Sequence, residues 1–346
     1  MNEQAKYKLK GFLMMFLSST SMGCIGAFGR FINAPGDFVS FGRNLIGFLA
    51  LTIGFCFIKG MWKKVKETRW SAGTVLTGIT LGLLSGLYVI STQWTTLANA
   101  SFLIYTGPIY STVLAAIILK EKINWKGFLC IAAVIIGMLF IVGIITPEGL
   151  TLDLDPKYMT GNLIALGSGV AYGLHLFFGR YRTDVDSNVR AWNNMGLAFI
   201  TIFFLMIADY FVNGKQLLYT VKVDGVTQYT DAGPVTAVWN IFEMPMESWL
   251  WWLAASFFAG AIAFYLLAFA TKMLKAGELA AISYQETIMA SVAGLILFGE
   301  TLTMFQLIGG ALIVIGGIAQ IFVSTSAAQS EGDLENAVAE KLAEAK

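Results

Sequence analysis

Long apolar stretches separated by short polar segments dominate the pattern along this chain. About 20 apolar residues cross the hydrocarbon core of a bilayer as an α-helix, and several of these stretches are rich in glycine, which membrane helices use for close packing. The pattern therefore predicts ten membrane-spanning helices, at about residues 11–33, 38–58, 72–94, 97–119, 124–145, 161–179, 191–212, 248–271, 277–298 and 304–323.

Composition supports a membrane protein. Of 346 residues, 56% are hydrophobic and only 13% are charged, with a mean hydropathy of +0.68, whereas a soluble domain carries about 25% charged residues. The net charge of +1 gives no indication of nucleic-acid binding. Three cysteines, Cys24, Cys56 and Cys130, lie in separate apolar stretches and do not suggest a disulfide or metal framework. We expect no metal or cofactor, with the lipid bilayer and a small-molecule substrate as partners, and a monomer or weak homodimer.

Basic residues gather in alternate loops, which predicts the orientation of a multi-pass protein of the cell membrane. The remaining loops carry few basic residues, and the acidic residues in the same loops balance their charge. The N-terminus is polar and basic, and no small-residue cleavage site follows the first apolar stretch, so that stretch is predicted to be a span and not a signal peptide. Both termini are therefore predicted to be cytoplasmic. The basic loop residues are Lys6, Lys8, Lys10, Lys59, Lys63, Lys64, Lys66, Arg69, Lys120, Lys122, Lys126, Arg180, Arg182, Arg190, Lys272 and Lys275.

Two blocks of the chain recur in the same order. Residues 11–31 match residues 161–181 at seven of 21 positions, with an offset of 150, and residues 105–137 match residues 284–316 at eight of 33 positions, with an offset of 179. The matched residues include the pairs Gly11/Gly161, Gly23/Gly173, Phe28/Phe178, Gly29/Gly179, Arg30/Arg180, Tyr105/Tyr284, Glu121/Glu300 and Gly137/Gly316.

Each of the two repeated units holds five spans. Because five is odd, the second unit enters the membrane in the opposite orientation, as in secondary transporters whose site lies between inverted halves near the midplane. The sequence thus predicts an all-α membrane protein of ten transmembrane helices, in two inverted five-helix repeats around a central cavity. We expect the first repeat at 1–145, an external linker at 146–160, the second repeat at 161–323 with an external insertion at 213–247, and a cytoplasmic polar tail at 324–346.

The ends of the two halves carry a shared motif. Both "IYTGPIYSTVLAAIILKEKINWKGFLCIAAVIIGMLFI" and "ISYQETIMASVAGLILFGETLTMFQLIGGALIVIGGIAQI" show an apolar helix, an acidic residue at its end (Glu121 or Glu300), a short turn and a Gly-rich helix. Together with an arginine early in the second span, Arg43, these segments resemble the EamA-type domain of the drug/metabolite transporter superfamily. The resemblance covers nearly all of residues 10–323.

The resemblance implies ten helices in two inverted halves around a central cavity, and transport of small organic solutes such as amino acids, amines, nucleotide sugars or drugs. This chain departs from the family pattern at one point. The ninth span of the family often contains Glu-Pro, whereas here it contains Glu286-Thr287, and Pro108 lies near the equivalent place in the first half. A proline kink in span nine is therefore not predicted by the sequence.

Ionisable residues inside spans are few, and each needs a partner, water or a function. Glu286, near the middle of span nine, can bind a cationic group of a substrate or exchange a proton; alternatively it is a structural carboxylate assisted by Gln285 and Tyr284. His175, the only histidine, can shuttle protons or pack as a neutral imidazole. A single histidine without a nearby cysteine or second carboxylate does not predict a metal site.

Three arginines have alternative roles. Arg30 and Arg180, at span ends, are candidate gate residues at the two cavity mouths, with Asp37, Asp184 and Asp186 near in sequence; alternatively they extend toward the membrane surface, as long basic side chains do. Arg43 lies deeper, so either a structural ion pair or binding of a substrate carboxylate is expected.

Tyrosines can line the cavity and surround an amine by cation–π contact, although most aromatics of membrane proteins belong to the interfacial belt or the core. Tyr105 and Tyr284 are the strongest candidates because they occupy matched positions in the two halves, and Tyr88 and Tyr172 are further candidates. Trp249, Trp251 and Trp252 are predicted to form an interfacial belt. Glu121 and Glu300 are predicted to cap the helix that follows each of them.

Two segments outside the bilayer show patterns of their own. The segment "LYTVKVDGVTQYT", in the insertion 213–247, alternates β-branched and aromatic residues around Asp224-Gly225. This pattern predicts a β-hairpin with a two-residue turn, packed on the outer surface. Within the tail, Leu334, Val338 and Leu342 recur at helical spacing, which predicts a short helix.

The sequence favours a secondary carrier of a small organic metabolite, an amino acid, an amine or a related solute, that works by alternating access, driven by protons or by exchange. It lacks a G-x-x-x-x-G-K-[ST] phosphate loop, so ATP is not the direct energy source. An integral membrane enzyme is the alternative, but the clustered nucleophile, base or metal set that it needs is not evident. A channel is a further alternative, although the spans do not show polar pore-lining rings.

Overall fold

The computed structural model describes most of the apolar stretches and few of the long loops. The predicted tail helix lies outside the described residues, as do Asp184 and the basic residues Lys122, Arg180, Arg182, Lys272 and Lys275. The described residues are 3–32, 34–118, 120, 125–146, 149–150, 156–179, 185–212, 218–223, 226–231, 244–270, 273–274, 276–319 and 322–323.

The first half of the chain folds into eight helices. Their ends follow from local chemistry: Ser71 and Thr74 form a capping box at the start of one helix, and the Thr96 side chain accepts a hydrogen bond from the Asn99 amide at the start of the next. The helices are α1 (Glu3–Gly23), α2 (Ile25–Phe31), α3 (Gly36–Phe57), α4 (Met61–Glu67), α5 (Ala72–Trp94), α6 (Leu97–Ile104), α7 (Gly107–Ile118) and α8 (Trp125–Val142).

The described part of the second half of the chain folds into seven α-helices and one π-helical segment. Thr303 and Gln306 cap the start of the last helix reciprocally: the Thr303 amide donates to Gln306 Oε1, and the Gln306 amide donates to Thr303 Oγ1. The helices are α9 (Pro156–Gly179), α10 (Ser187–Val212), α11 (Met246–Ala255), a π-helical segment (Ser256–Ile262), α12 (Ala263–Ala270), α13 (Ala276–Ser283), α14 (Gln285–Phe298) and α15 (Met304–Ala319).

The protein is a helical membrane protein. Within the described residues, nine helical stretches are long and apolar enough to cross a membrane, some of them made of two or three consecutive elements, and α15 is a shorter apolar helix. These helices coincide with the ten stretches predicted from the hydrophobic pattern, with ends that differ by a few residues. The first membrane helix begins earlier than the predicted residue 11, because the helical stretch already includes Lys6.

Three of the predicted continuous spans are interrupted. The first breaks at Cys24 between α1 and α2, the fourth at Tyr105–Thr106 between α6 and α7, and the ninth at Tyr284 between α13 and α14. Pro108 explains the fourth, because proline removes a backbone donor near the start of α7. The ninth span is interrupted although it lacks a proline, so the residue types at 286–287 do not decide whether the break occurs.

The eighth span contains a π-helical segment, which the sequence did not predict. Such single-turn widenings are rare in helices and frequent at functional sites. The segment packs against α3, and its Gly260 lies so close to α3 that a β-carbon there would be 2.7 Å from the Arg43 carbonyl oxygen. A glycine is therefore needed for this close approach to Arg43.

Two small β-hairpins lie outside the spans. The predicted hairpin is confirmed: β3 (Leu218–Val223) pairs antiparallel with β4 (Val226–Asp231), and Val223 pairs with Val226 across the turn. Strand β4 contacts α5. A second hairpin, β1 (Ile145–Thr146) with β2 (Gly149–Leu150), occupies part of the stretch expected to be a linker.

The predicted tryptophan belt is wrong for Trp252. Its side chain is 9% exposed, stacks on Phe38 with ring centroids 5.2 Å apart, and donates from Nε1 to the Phe38 carbonyl at 3.2 Å. Trp251 stacks on Phe31. Because α11 packs against α3 at this point, the Trp252 ring belongs to the core.

Asp186, one of the acids near Arg180 in sequence, forms an ion pair with Lys64. Lys64 Nζ lies 2.6 Å from Asp186 Oδ2, which joins α4 to the start of α10. Partial burial of Asp186 raises the pKa of its carboxyl, but the hydrogen bond and charge of Lys64 and the amides of Asn188 and Val189 outweigh that effect and lower the pKa. Arg180 itself lies outside the described residues.

The first helix of each half packs on the other half. Helix α1 packs along α12, α13 and α14, and α9 packs along α5, α6 and α7. Where α8 meets α15, a β-carbon on Gly137 would lie 2.5 Å from the Gly309 carbonyl oxygen, so small residues allow close contact. Buried apolar residues from both halves form one core around these crossings, including Ile25, Val89, Leu103, Ala259 and Ile313.

Candidate functional site

Two interrupted helices meet at a pair of tyrosines. The rings of Tyr105 and Tyr284 lie with centroids 4.7 Å apart and are 5% and 2% exposed. The Tyr105 hydroxyl is 2.7 Å from the Ser283 carbonyl, and the Tyr284 hydroxyl donates to the Tyr105 carbonyl at 3.4 Å. Each hydroxyl thus satisfies a backbone carbonyl at the interruption in the other half, where a helical hydrogen bond is missing.

Glu286 is held at this crossing by Tyr105. The Tyr105 hydroxyl lies 2.8 Å from Glu286 Oε2, so its single proton is shared between this carboxylate and the Ser283 carbonyl. Tyr172 from α9 meets the Tyr105 ring edge-on at 5.9 Å. We call Tyr105, Tyr172, Tyr284 and Glu286 the tyrosine cluster; such a carboxylate among aromatic faces is suited to a cation.

Arg43 lies in a second polar cluster between α3 and α5. Its Nη2 donates to Ser85 Oγ at 2.6 Å, and the same oxygen is 2.6 Å from Ser40 Oγ and accepts from Asn44 Nδ2 at 2.9 Å. Arg43 is 6% exposed, and the other three residues are fully buried. We call these four residues the Arg43 cluster.

Three polar atoms beside these clusters are buried without a hydrogen-bond partner in the described part of the chain. They are Arg43 Nε, Asn44 Oδ1 and the Tyr88 hydroxyl. Tyr88 lies one turn after Ser85 on the same face of α5 and is 2% exposed. The Arg43 cluster and Tyr88 thus form one polar region where α3 packs against α5. Unsatisfied groups of this kind are rare inside proteins and call for a partner.

Arg30 joins the two halves in a buried ion pair. Its Nη1 lies 2.5 Å from Glu300 Oε1, Nε donates to the Thr92 carbonyl at 2.8 Å, and Nη2 donates to the Thr95 carbonyl at 2.7 Å. The guanidinium also lies 4.8 Å from the centre of the Phe298 ring. At 7% exposure, Arg30 does not extend to the membrane surface, so that alternative is wrong.

Glu300 caps a helix of the other half. Gly299, with φ of 65°, ends α14 in the left-handed conformation and turns Glu300 back into the bundle. There Glu300 Oε2 accepts a hydrogen bond at 2.9 Å from the amide of Leu97, which is the first residue of α6. The prediction that Glu300 caps the following helix is therefore wrong, because Thr303 and Gln306 cap α15. Glu121, its counterpart, lies outside the described residues.

A cavity of about 620 Å³ is lined by residues of both halves of the chain. Among its lining residues, Asn162 Oδ1 accepts from Thr95 Oγ1 at 2.7 Å and from Asn99 Nδ2 at 3.5 Å, and Gln306 Nε2 donates to Asn99 Oδ1 at 3.3 Å. Both halves contribute to this amide network. The lining residues include Thr96, Asn99, Ile141, Tyr158, Asn162 and Gln306.

His175 is bonded to the backbone of α5. Its Nδ1 donates to the Thr77 carbonyl at 2.9 Å, which fixes the proton on Nδ1. Glu286 is bonded to Tyr105, so the two residues considered for proton transfer have different hydrogen-bond partners. Gln285 begins α14 and is half-buried, and Arg180 lies outside the described residues.

Several residues of the site were not predicted from the sequence. Ser40, Asn44 and Ser85 position Arg43, and the amides of Asn99, Asn162 and Gln306 border the cavity. Serine within apolar spans gives little signal, because its hydroxyl usually bonds to its own helix. Amide side chains are rarer than serine within membrane spans, so Asn99, Asn162 and Gln306 could have been identified from the sequence as candidate site residues.

The comparisons with protein families and with known sequences both find transporters. The model of the EamA-like transporter family matches residues 9–143 and 232–322. An uncharacterized transporter of Archaeoglobus fulgidus is 24% identical over 304 residues, 87% of this chain and 92% of its own. The threonine/homoserine exporter RhtA of Salmonella typhimurium is 26% identical over 304 residues, 87% of each chain.

A solved structure shares the fold. Its chain matches with a TM-score of 0.52 at 16% identity, over 92% of this chain and 96% of its own. The family model, which covers more than half of the chain in two stretches, shows the membership. This multi-pass helical membrane protein therefore belongs to the EamA-like transporter family.

Proposed function

We propose that this protein is a secondary carrier that moves a small organic metabolite, an amino acid, an amine or a related solute, by alternating access. The observation that carries the proposal is the meeting of Glu286, Tyr105 and Tyr284 where two spans are interrupted. Interrupted helices are the usual place of transporter sites, and ionisable groups within spans are costly unless they serve a function. The RhtA relatives, named as threonine/homoserine exporters, support an amino-acid-like solute.

The proposed halves are inverted repeats, and paired glycine contacts support this. Gly11 packs against Met273 and Leu274, while its match Gly161 packs against Trp94 and Thr95. The contacted residues are themselves separated by 179 positions, the offset of the second matched block. The first helix of each half therefore meets corresponding residues of the opposite half.

Two further contacts follow the same offsets. A β-carbon on Gly23 would lie 2.6 Å from the Glu286 carbonyl oxygen, and one on its match Gly173 would lie 2.8 Å from the Gly107 carbonyl oxygen. Gly107 and Glu286 are again 179 positions apart. Exchanged contacts of this kind are expected when two similar units are related by a pseudo-twofold axis, which supplies two near-equivalent states for alternating access.

The proposed orientation places both termini in the cytoplasm and predicts the labelling of two matched positions. Leu9 and Met159, 150 positions apart, are 56% and 41% exposed. In a background without Cys24, Cys56 and Cys130, a membrane-impermeant maleimide should label Met159→Cys on intact cells. Leu9→Cys should be labelled only after permeabilisation, because the repeats are inverted.

Two loop positions calibrate this labelling. Lys63→Cys is the cytoplasmic control and Thr301→Cys the external one, since both are exposed. If both controls are labelled from their own sides but Leu9→Cys and Met159→Cys react from the same side, the inverted topology is wrong.

Transport is tested by counterflow in liposomes. Vesicles that contain the purified protein and are preloaded with an unlabelled solute should accumulate labelled solute transiently, and the rate should saturate with concentration. The first solutes are amino acids and their amines. Absence of counterflow across this panel, with protein correctly inserted, would contradict the carrier; flux that never saturates would favour a channel, and chemical conversion of a solute would favour an enzyme.

A further inference from the structure

Three carboxamides that line the cavity of about 620 Å³ form a chain of hydrogen bonds whose direction is fixed at one end. A backbone amide can only donate, and the Thr303 amide donates to Gln306 Oε1. Gln306 therefore presents Nε2 to Asn99 Oδ1, at 3.3 Å. Asn99 in turn presents Nδ2 to Asn162 Oδ1, at 3.5 Å. The positions of oxygen and nitrogen in all three side chains thus follow from one N–H group.

This chain of hydrogen bonds ends on a free donor, the Asn162 Nδ2 group. Thr95 Oγ1 also donates to Asn162 Oδ1, at 2.7 Å, so the hydrogen bonds of this side chain to the described residues all reach its oxygen. Asn162 is 4% exposed and borders the cavity. Its Nδ2 is not one of the fully enclosed unpaired atoms of the described chain, so it opens on the cavity with both protons available. Hydrogen bonds that point the same way polarise one another, which strengthens this last donor.

Three helices begin at the same cavity. Thr96 precedes α6, Tyr158 lies in the first turn of α9, and Thr303 precedes α15, and all three residues line the cavity. The first amides of an α-helix have no partner within the helix, and the aligned peptide dipoles give this end a partial positive charge. The helix starts and the carboxamide donor therefore favour the same kind of ligand, one rich in oxygen acceptors.

No acidic side chain opposes these donors within the described lining. That lining includes no aspartate, glutamate, lysine, arginine or histidine. Glu300 accepts from the Leu97 amide at the start of α6, but Arg30 compensates its charge. The cavity thus has an excess of neutral donors, and its positive character comes from helix starts and not from basic side chains.

The repeat does not require these carboxamides. The residue that matches Asn162 is Phe12, and the residue that matches Gln306 is Gly127. Phe12 packs in an apolar cluster with Leu274. The polar chain therefore occurs at one end of the molecule and not at the matched positions of the other end, as expected for a site with a function of its own.

We propose that this cavity binds a phosphate group, held by Asn162 Nδ2, by the second proton of Gln306 Nε2 and by the amides that begin α15. Helix starts and neutral donors are a common way to bind such an anion, and donors from several helices suit a group with several oxygens. Met304 borders the cavity and is 70% exposed, so an ester chain can leave the cavity there. The group belongs either to a free phosphate or to a lipid headgroup.

This phosphate site is distinct from the proposed solute site. The described lining of the cavity includes no residue of the tyrosine cluster. It comes in part from the starts of the fourth, sixth and tenth spans, which lie on one side of the membrane. In the proposed orientation this side is external, so the phosphate group reaches the cavity from outside the cell or from the outer leaflet.

The melting temperature of the detergent-purified wild-type protein tests the site, because a ligand that binds only the native state raises it. Sodium phosphate replaces sodium chloride at constant ionic strength in the first arm. Mixed micelles with dioleoyl phosphatidylglycerol form the second arm, and dioleoylglycerol, which lacks the phosphate, is their control. A rise with sodium phosphate identifies a soluble ligand, and a rise with the phospholipid alone identifies a lipid headgroup.

Asn162→Asp tests the free donor. Aspartate keeps the oxygen that accepts from Thr95 and Asn99 and replaces the donor by a negatively charged oxygen, so the affinity for the phosphate group should fall about 30-fold. The matched control is Asn194→Asp. Asn194 is 8% exposed and also accepts from a threonine, Thr77, at 3.0 Å, but it is not part of the described lining. Its replacement should change the affinity less than about twofold.

Met304→Glu is a second variant, which does not alter a buried side chain. The new negative charge at the rim of the cavity should weaken phosphate binding about threefold. Met304→Gln has the same side-chain length without the charge and is the control.

The outcomes decide the phosphate site independently of the carrier. Absence of a rise in both arms, or a rise that dioleoylglycerol reproduces in the absence of any response to sodium phosphate, overturns the site. An unchanged response in monodisperse Asn162→Asp, or in Met304→Glu, also overturns it. Since these measurements do not use transport, absence of counterflow with intact phosphate binding contradicts only the carrier.

Discussion

Replacement of Arg30 by glutamine is expected to lower the free energy of unfolding by about 3 kcal/mol. The reason is burial: the two side chains of the Arg30–Glu300 pair are 5% and 14% exposed, so removal of the cation leaves Glu300 without a counterion away from water. The Thr92 and Thr95 carbonyls, which end α5, lose their donors at the same time.

Unfolding of the detergent-solubilised protein by sodium dodecyl sulfate, followed by tryptophan fluorescence, measures this loss. The control is Lys63→Gln, which removes the exposed Lys63–Glu67 pair and should change stability by less than about 0.5 kcal/mol. Glu300→Gln alone should also destabilise, and the double variant should lose less than the sum of the two single losses. Additive losses would show that the two residues are not coupled.

Glu286→Gln is expected to reduce the affinity for a substrate amine or ammonium group on the order of 100-fold, about 3 kcal/mol. The amide still accepts the Tyr105 hydroxyl bond, so the change removes the charge and retains the local hydrogen bond. Fold and stability should therefore change little, and transport should fall strongly.

Competition in the counterflow assay measures this affinity, and the melting temperature monitors the fold. Glu286→Asp keeps the charge on a shorter side chain and should retain more affinity than the amide. Glu247→Gln, at the start of α11, is the control for a glutamate outside the site. If the Glu286→Gln variant transports as well as the wild type, Glu286 has a structural role and does not bind the substrate.

The hydrophobic pattern was sufficient to predict the membrane helices, because the requirement for about 20 apolar residues leaves few alternatives. It did not predict the interruption at Tyr284, since neither glycine nor proline occurs there. Backbone carbonyls at this break are satisfied by a tyrosine more than 170 positions away in the chain, and such a distant partner cannot be read from local sequence.

The candidate site was predicted in part. Tyr105, Tyr284 and Glu286 were identified from their matched positions and their charge, and the structure brings them together. Arg30 was assigned to a cavity mouth or the membrane surface because its position at a span end is local information. Its actual partner, Glu300, lies in the other half, and only the packing of the two halves shows that the pair forms.

The contact between Tyr105 and Tyr284 has an evolutionary consequence. A residue that meets its own counterpart lies on the axis that relates two copies. Under the proposed duplication, an ancestor of half the present length would have formed an antiparallel homodimer, in which this one tyrosine stacked on itself across the subunit boundary. Fusion into one chain then freed the two copies to diverge, and Glu286, whose counterpart is Gly107, marks where the binding surface ceased to be symmetric.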